Sequence, residues 1–440
     1  MLVPFKSSVL RGAAWTVFGH GAGQLTRLAS NLILTRLLFP EAFGLMAIVW
    51  MVLFALEMFS DVGIGPAVIR DEKGEDSRFL QTAFTVQVIR GGGLFLLACS
   101  VAIPLSNIYG EPALATLIPV AGLTALLAGF LPVTLHVERR RMAFKKITIL
   151  ELIHQISAAA AVITWAFFSP TIWALIGGAL IGRLGYLVAS HLWLPMRHPW
   201  FYIDRSSLWR ILHLAKWILP ASIFAFFSVQ GDRMLLGYYL DMATLGVYAI
   251  AALLADAVGA LTAKVNYGVA LPAYGRVFRN QPHLMFQTYN RYRLGLDVLF
   301  LVPIGVLAAS SAILIEFLYD SRYHGAGALL QILCLKLVFG AFLTNIESLL
   351  VASGLARYSL WLNAARTMWI LVALPVGWTL FGLTGVIWAV ALSELPVAVV
   401  LWNALRKQKL LNPLVELRSL IAALSAYLSV TLLISVSTNT

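Results

Sequence analysis

Twelve runs of about 20 predominantly apolar residues constrain this chain more than any other feature, because a run of that length matches the hydrocarbon thickness of a bilayer. They fall at 12–35, 43–67, 79–104, 113–137, 147–168, 171–195, 208–234, 243–270, 292–318, 325–352, 358–380 and 384–404. A thirteenth, RSLIAALSAYLSVTLLISV, covers 418–436. Charged residues are 12% of the chain, about half the share of a soluble domain. The expectation is an all-α polytopic membrane protein with about 12 core transmembrane helices plus the thirteenth.

The formal net charge is +12, and its distribution explains it without nucleic acid. With the N-terminus placed in the cytoplasm, 22 of the 32 Lys and Arg fall on inside segments, including Arg139, Arg140, Arg141, Lys145 and Lys146. Outside segments hold only Arg36 and Arg322. Short cytoplasmic loops of membrane proteins are enriched in Lys and Arg in this way. The orientation and the span count therefore support each other, since one missed helix would scramble the asymmetry. No signal peptide is expected at the N-terminus. Cys99 and Cys334 lie in separate apolar runs and suggest neither a disulfide framework nor a metal site.

One phrase is written twice. Residues 35–48 read TRLLFPEAFGLMAI and residues 237–250 read GYYLDMATLGVYAI, offset by 202. Leu38 aligns with Leu240, Gly44 with Gly246, Ala47 with Ala249, Ile48 with Ile250 and, further upstream, Trp15 with Trp217. Six spans separate the copies, so both cross the membrane in the same direction. That is a parallel repeat, related by an axis along the membrane normal. The predicted architecture is two six-helix lobes in a parallel pseudo-two-fold repeat: an N-lobe at 1–196, a C-lobe at 207–405 and a tail at 406–440. MRHPWFYIDRSS at 196–207 links the lobes. No loop is long enough to fold alone, which argues against a membrane glycosyltransferase or polysaccharide polymerase.

Chemistry is expected where charge lies inside the spans, because a charge at mid-span costs about 2.5–3.5 kcal/mol on insertion scales. In span 1, Thr16, His20, Gln24, Arg27, Asn31 and Thr35 step by three or four residues and share one helical face. Such a stripe suits a solvated cavity better than lipid or a dry core. The repeat maps Asn31 onto Arg233, so Arg233 is expected to approach the cavity from the second lobe. Asp232 and Asp256 are its candidate partners. Glu57 and Asp61 are read one turn apart on one face of span 2, placed either to bind H⁺ or Na⁺ or to neutralise Arg27. Gln87 and Arg90 share a face of span 3, followed by three glycines at 91–93 that could mark close packing or a bend. Lys264 in span 8 is a weaker cavity candidate.

No metal or catalytic motif is found. Glu151-x-x-His154 has di-iron spacing but no second copy. H-E-x-x-H, G-x-S-x-G and a phosphate-binding GxxxxGK[ST] loop are absent. No cofactor is expected, and transport would draw on an ion gradient or on the substrate gradient. Guanidinium groups in the cavity favour an anionic amphiphile, because the planar fork matches phosphate oxygens. A multidrug efflux antiporter of the same fold would want acids to dominate there.

Several segments resemble a known family. TRLLFPEAFGLMAIV and FSDVGIGPAVIR resemble the opening of bacterial polysaccharide-biosynthesis flippases. LHVERRRMAFKKITILELI resembles their basic loop before span 5, and GDRMLLGYYLDMATLGVYAIAALLADAV their span 7–8 region. LYDSRYHGAGALLQIL resembles the start of their span 10. The resemblance runs from about residue 6 to 405 and is strongest to the Wzx-type branch of the multidrug/oligosaccharidyl-lipid/polysaccharide exporter superfamily. It implies two lobes, an alternating-access cavity and a polyprenyl-pyrophosphate-linked oligosaccharide moved to the outer leaflet of the bacterial cytoplasmic (inner) membrane. It also implies basic residues on span 1 and its repeat-mate, here Arg27 and Arg233. Glycosyltransferases and a polymerase of the same pathway are the implied protein partners, with membrane lipids around the helices.

Overall fold

The computed structural model describes residues 3–194, 201–355 and 357–408, together with Ile421 and Ser425. The span expected at 418–436 and part of the 196–207 linker lie outside the described residues. Helices dominate, and no strand occurs among the described residues.

The chain forms two compact units, Met1–Phe226 and Phe227–Thr440. The first contains α1 (Val3–Leu37), α2 (Pro40–Phe59), α3 (Ile64–Arg70), α4 (Ser77–Tyr109), α5 (Leu114–Gly129), α6 (Thr134–Arg140), α7 (Phe144–Phe168) and α8 (Ile172–Trp193). The division falls inside α9 (Arg205–Tyr239). The second unit continues with α10 (Met242–Val265), α11 (Leu271–Asn280), α12 (Met285–Leu318), α13 (Ala326–Ala352), α14 (Arg357–Ala391) and α15 (Leu395–Lys407).

Among the described residues, eight helical stretches are long and apolar enough to cross a membrane, or nine when α5 and α6 form one bent span. One of them, Arg357–Lys407, has 51 residues. At 1.5 Å per residue that is more than twice a bilayer core of about 30 Å. Gly382, at φ 58° and ψ −140°, interrupts it, between the two runs read at 358–380 and 384–404. Helices α1 and α9, 35 residues each, also exceed the length a span needs. Each of the twelve apolar runs thus has a helical counterpart, and the protein is a multi-pass membrane protein. Large apolar side chains such as Leu96, Ile103 and Phe167 stand exposed along the helices, where lipid is their natural solvent.

The repeat survives folding at the level of helix ends. Helix α9 starts and stops 202 residues after α1, and α10 starts 202 residues after α2. Leu38 donates its amide to Leu34 at 2.8 Å, and Leu240 donates to Leu236 at 2.8 Å, the same bond in both copies. Gly44 and Gly246 are both buried. The starts are specified differently. Pro40 opens α2 at its first turn, whereas the Asp241 carboxylate caps α10 by accepting from the Thr244 amide at 2.9 Å.

Two expected spans are broken rather than straight. The run at 43–67 is α2, a turn through Gly63 in the left-handed region (φ 71°), and α3. The run at 113–137 is α5 and α6, bent by 60° at residues 130–133. Asp61 therefore lies beyond the end of α2, and the reading that put it one helical turn from Glu57 is corrected. Its Oδ1 accepts from the Gly63 amide at 2.9 Å and fixes the turn.

The chain leaving α8 returns to the first unit. Thr85 Oγ1 accepts from the Tyr202 amide at 3.0 Å, and Thr82 Oγ1 from the Asp204 amide at 2.9 Å. The Phe201 ring packs on Phe84 with centroids 5.8 Å apart. Asp204 then binds the Ser206 and Ser207 hydroxyls at 2.6 and 2.7 Å and the Ser207 amide at 2.8 Å, at the start of α9. These donors hold its carboxyl down to about 2, the Ser206 hydroxyl foremost. Ile211, fully buried, joins a core with Ile64, Val68, Phe79 and Val137.

Candidate functional site

Both broken spans of the first unit border one polar cavity of about 440 Å³. Non-helical backbone at membrane depth is tolerated only where protein or a water-filled cavity satisfies it, and in transporters interrupted helices mark binding sites. Each break here has its own satisfier. The Gln87 amide of α4 donates to the main-chain oxygens of Ala128, Gly129 and Leu131 at 3.3, 3.1 and 2.8 Å, covering the last carbonyls of α5. Arg90 Nη2 donates to the Glu57 main-chain oxygen at 2.7 Å and its Nε to Ser60 Oγ at 3.0 Å, covering the end of α2. Two polar residues on one face of α4 thus hold two helix ends open.

Gly91 permits this arrangement. A Cβ there would sit 2.9 Å from the Ala125 oxygen and 2.9 Å from the Gly129 Cα. Gly92 and Gly93 have nothing within 4 Å of such an atom among the described residues. Of the two readings of the glycine triplet, close packing applies to Gly91.

The cavity wall carries charge from four helices and one turn. Glu57 and Asp61 come from α2 and its following turn, Arg90 from α4, His136 and Arg139 from α6, and Arg183 with Tyr186 from α8. Arg139 reaches Glu151 at 3.1 Å, a pair nearly half exposed on each side. Glu57 has no side-chain hydrogen bond or ion pair among the described residues. Arg183 Nε and His136 Nδ1 are buried with no hydrogen-bond partner among the described residues. The imidazole lies over Gly65, where a Cβ would meet Nδ1 at 3.1 Å.

Four of the residues singled out from the sequence, Glu57, Asp61, Gln87 and Arg90, thus meet in one cavity, although they come from α2, its following turn and α4. Four others stay on α1. His20, Gln24 and Asn31 are half-buried and Arg27 is exposed; the Thr16 side chain lies outside the described residues. Thr35 is buried and its hydroxyl donates to the Leu32 oxygen at 3.1 Å. The neighbouring face of α1 packs on α7, where a Cβ at Gly19 or Gly23 would strike Thr148 or Gln155.

Arg233, in the second unit, is tied on three sides. It pairs with Asp256 Oδ2 at 2.6 Å, donates to Gln230 Oε1 at 3.0 Å, and takes the Asp232 carboxylate on its own amide at 2.8 Å. Asp256 remains largely exposed while the guanidinium is mostly covered. Asp232 is buried against the Tyr248 hydroxyl. Lys264 lies in the last turn of α10, one residue before Val265, which a π-helical turn at Asn266–Ala270 follows. Arg366 makes two bonds to Glu394, at 3.1 and 2.7 Å, and one to Ser228 at 2.8 Å. Glu151 and His154, with their metal-like spacing, are engaged by Arg139 and, at 2.8 Å, by the Gly182 oxygen.

His136 and Arg183 were not selected from the sequence as site residues. No spacing rule joins them, since α6 and α8 are brought together only by folding. Pro132, inside the bend, is the one local sign of a break.

A family model described as "Polysaccharide biosynthesis protein" matches residues 33–328. The chain belongs to this family. Among curated relatives, the succinoglycan biosynthesis transport protein ExoT of Rhizobium meliloti is 24% identical over 281 residues, 62% of this chain and 55% of that protein. The lipopolysaccharide biosynthesis protein WzxC of Escherichia coli is 22% identical over 400 residues, 87% of this chain and 77% of that protein. The chain thus spans about half the length of the first relative and three quarters of the second. Among solved structures, the lipid II flippase MurJ in an inward closed conformation superposes with a TM-score of 0.70 at 13% identity, covering 96% of this chain and 93% of that one. An inward-facing MATE-family multidrug transporter superposes at 0.63 and 18% identity, covering 88% and 95%. The chain shares its fold with both a flippase and a drug transporter, so the choice between those activities rests on the residues.

Proposed function

We propose that the chain is a flippase that carries a polyprenyl-pyrophosphate-linked oligosaccharide from the cytoplasmic to the outer leaflet of a bacterial cytoplasmic membrane. It works by alternating access and serves polysaccharide biosynthesis. Family membership supports the pathway, and both curated relatives are named for polysaccharide or lipopolysaccharide biosynthesis, one of them as a transport protein. The observation that carries the substrate class is the polar face of α1, with exposed Arg27 between Gln24 and Asn31. A guanidinium kept in a span at such cost calls for an anionic ligand, and its fork suits phosphate oxygens. His20, Gln24 and Asn31 add neutral hydrogen-bonding groups suited to sugar hydroxyls.

Arg233, the repeat-mate of Asn31, is the corresponding cation of the second unit, with Lys264 and Arg90 as further contributors. Glu57 or Asp61 takes up H⁺ or Na⁺ to couple the cycle. The N-terminus lies in the cytoplasm in this reading, which the Lys and Arg asymmetry supports. Glycosyltransferases and a polymerase of the same pathway supply and consume the cargo.

The test is export of surface polysaccharide by a strain lacking the chromosomal copy. Each charge-assisted phosphate contact is worth about 1.5–3 kcal/mol, or roughly 10- to 150-fold in affinity. Arg27→Ala should abolish or cripple export at normal protein levels, and Arg27→Lys should recover part of it. Full export by Arg27→Ala removes this residue from the substrate path.

A further inference from the structure

Helices α14 and α15 run out and back around Gly382, and their far ends border one cavity of about 340 Å³. Arg357 begins α14 and Lys407 ends α15, each 25 residues from Gly382. An arm of that length is roughly 38 Å at 1.5 Å per residue. A hairpin crossing a hydrocarbon core of about 30 Å therefore puts both cations just beyond it, at the depth of lipid phosphates. Arg357, Tyr358 and Trp361 line the cavity from α14, and Asn403 and Lys407 from α15. Buried Ala404 lies on the same face of α15. It belongs to a core with Leu362, Leu401 and Leu405, against which Tyr358 packs, so the two walls are fixed to each other.

The lining is graded and carries one sign of charge. No carboxylate lines it. Arg357 lies over the Tyr358 ring at 5.9 Å, and neither it nor Lys407 has an ion pair among the described residues. The basic residues of the first unit behave differently: Arg139, Arg141, Lys146 and Arg210 each meet an acid. The cytoplasmic bias of Lys and Arg accounts for the presence of two cations here, but not for their convergence without an acid. Trp361 sits one turn deeper than Arg357 and is 61% exposed, and Val400 lies seven residues before Lys407 on the cavity wall. Cations at the rim, an indole at the boundary and an apolar wall below match a lipid from headgroup to acyl chain.

We propose that this cavity is a site for a resident anionic glycerophospholipid of the phosphatidylglycerol class, which closes the open end of the α14–α15 hairpin. The phosphodiester lies between Arg357 and Lys407. The glycerol hydroxyls of the headgroup face Asn403 and Tyr358, and an acyl chain follows Trp361 and Val400 into the bilayer. A zwitterionic lipid is disfavoured, because its ammonium would enter a space that already holds two uncompensated cations. The bound lipid is a structural partner and not cargo, and its site is separate from the α1 polar face.

The experiment is lipid binding to the purified full-length protein, delipidated in detergent, with phosphatidylglycerol and phosphatidylethanolamine of matched chains as probes. Native mass spectrometry reads affinity, and the thermal transition reads stabilisation by the bound lipid. Neither needs transport, so the outcome is independent of the flippase assignment. Phosphatidylglycerol should bind saturably and raise the thermal transition, and phosphatidylethanolamine should bind at least about tenfold more weakly. Arg357→Gln and Lys407→Gln should each weaken phosphatidylglycerol at least about fivefold, the scale of one basic residue at a membrane surface. The double variant should lose the thermal shift. Arg406→Gln removes the same charge next to Lys407 but outside the lining, and should change affinity less than about twofold. Arg27→Ala should bind as wild type. Where Arg357→Gln does not fold, Lys407→Gln, at the exposed end of α15, decides alone. Equal binding of the two lipids overturns the proposal, as does a loss in Arg406→Gln matching that in Lys407→Gln, which marks general surface charge. Undiminished binding by the Lys407→Gln variant, or loss of binding in Arg27→Ala, overturns it as well.

Discussion

Gly91 and Gly129 face each other so closely that a Cβ on Gly91 would lie 2.9 Å from the Gly129 Cα, and one on Gly129 would lie 3.2 Å from the Gly91 Cα. This approach brings α4 against the end of α5 where the span bends, and it lets Gln87 reach three main-chain oxygens. Backbone cannot yield as a flexible side chain can, so Gly91→Ala should destabilise by about 1–3 kcal/mol. Gly92→Ala and Gly93→Ala should stay within about 1 kcal/mol of wild type or gain slightly, since both lie mid-helix in open space. Thermal unfolding of the three variants in one detergent checks the contrast. Equal melting temperatures would deny the close approach any energetic role.

Glu57 and Asp61 divide their work. The Asp61 carboxylate holds the Gly63 turn, so Asp61→Ala should cost about 1 kcal/mol, the scale of a lost side-chain cap. Asp61→Asn keeps an acceptor and should fold normally. Glu57→Gln removes no hydrogen bond and should leave stability unchanged. Under the coupling proposal, Glu57→Gln and Asp61→Asn lower export at normal protein levels. Normal export by both would make the acids structural and place coupling elsewhere.

The sequence showed well what depends on local composition. Apolar runs located the helices because burial in lipid requires length and little else. The 202-residue offset carried through to the helix termini, Leu37 with Tyr239 and Pro40 with Met242. Hydropathy is blind to direction, however. Phe130, Leu131, Pro132 and Val133 are all apolar, so the run at 113–137 reads as continuous while the axis turns by 60°. The same blindness put Asp61 on a helix that ends at Phe59. Gln87 and Arg90 were legible as a polar face of α4, but not the two helix ends that they satisfy, which are 30 to 44 residues away in the chain. His136 and Arg183 were missed for the same reason, since a cavity belongs to the packing and to no single segment.

Arg233 and Asp256 meet at 2.6 Å, which sets the substrate proposal against a purely structural ion pair. Removing one partner strands the other, so Asp256→Ala and Arg233→Ala should both be tested beside the exchange Arg233→Asp with Asp256→Arg. If Arg233 serves the anionic substrate, the exchanged pair should fold yet fail to restore export, because the cation has moved to α10. Arg233→Lys should retain partial export, with charge but without the fork. Full restoration by the exchange would assign Arg233 to the pair alone.

Asp204 fastens the start of α9 to the first unit. Its amide is bound by Thr82, and its carboxylate takes two hydroxyls and an amide from Ser206 and Ser207. The carboxyl is held down to about 2, chiefly by the Ser206 and Ser207 hydroxyls, below the unfolded value near 3.9. For a depressed carboxyl the stabilisation is present in full above the unfolded pKa and fades as the pH falls through the folded one. The attachment should therefore be insensitive to pH from about 8 down to about 4, and loosen only between about 4 and 2. Asp204→Ala should loosen it at every pH. Proteolysis of the 201–207 segment in the purified protein provides the measurement: cleavage should rise in Asp204→Ala at pH 7, and in Ser206→Ala to a smaller degree. Thr82→Val, which removes the acceptor for the Asp204 amide but keeps the bulk, should raise cleavage without altering the carboxylate. Cleavage unchanged in both Asp204→Ala and Thr82→Val would mean that the Phe201–Phe84 contact and buried Ile211 hold the segment by apolar packing alone.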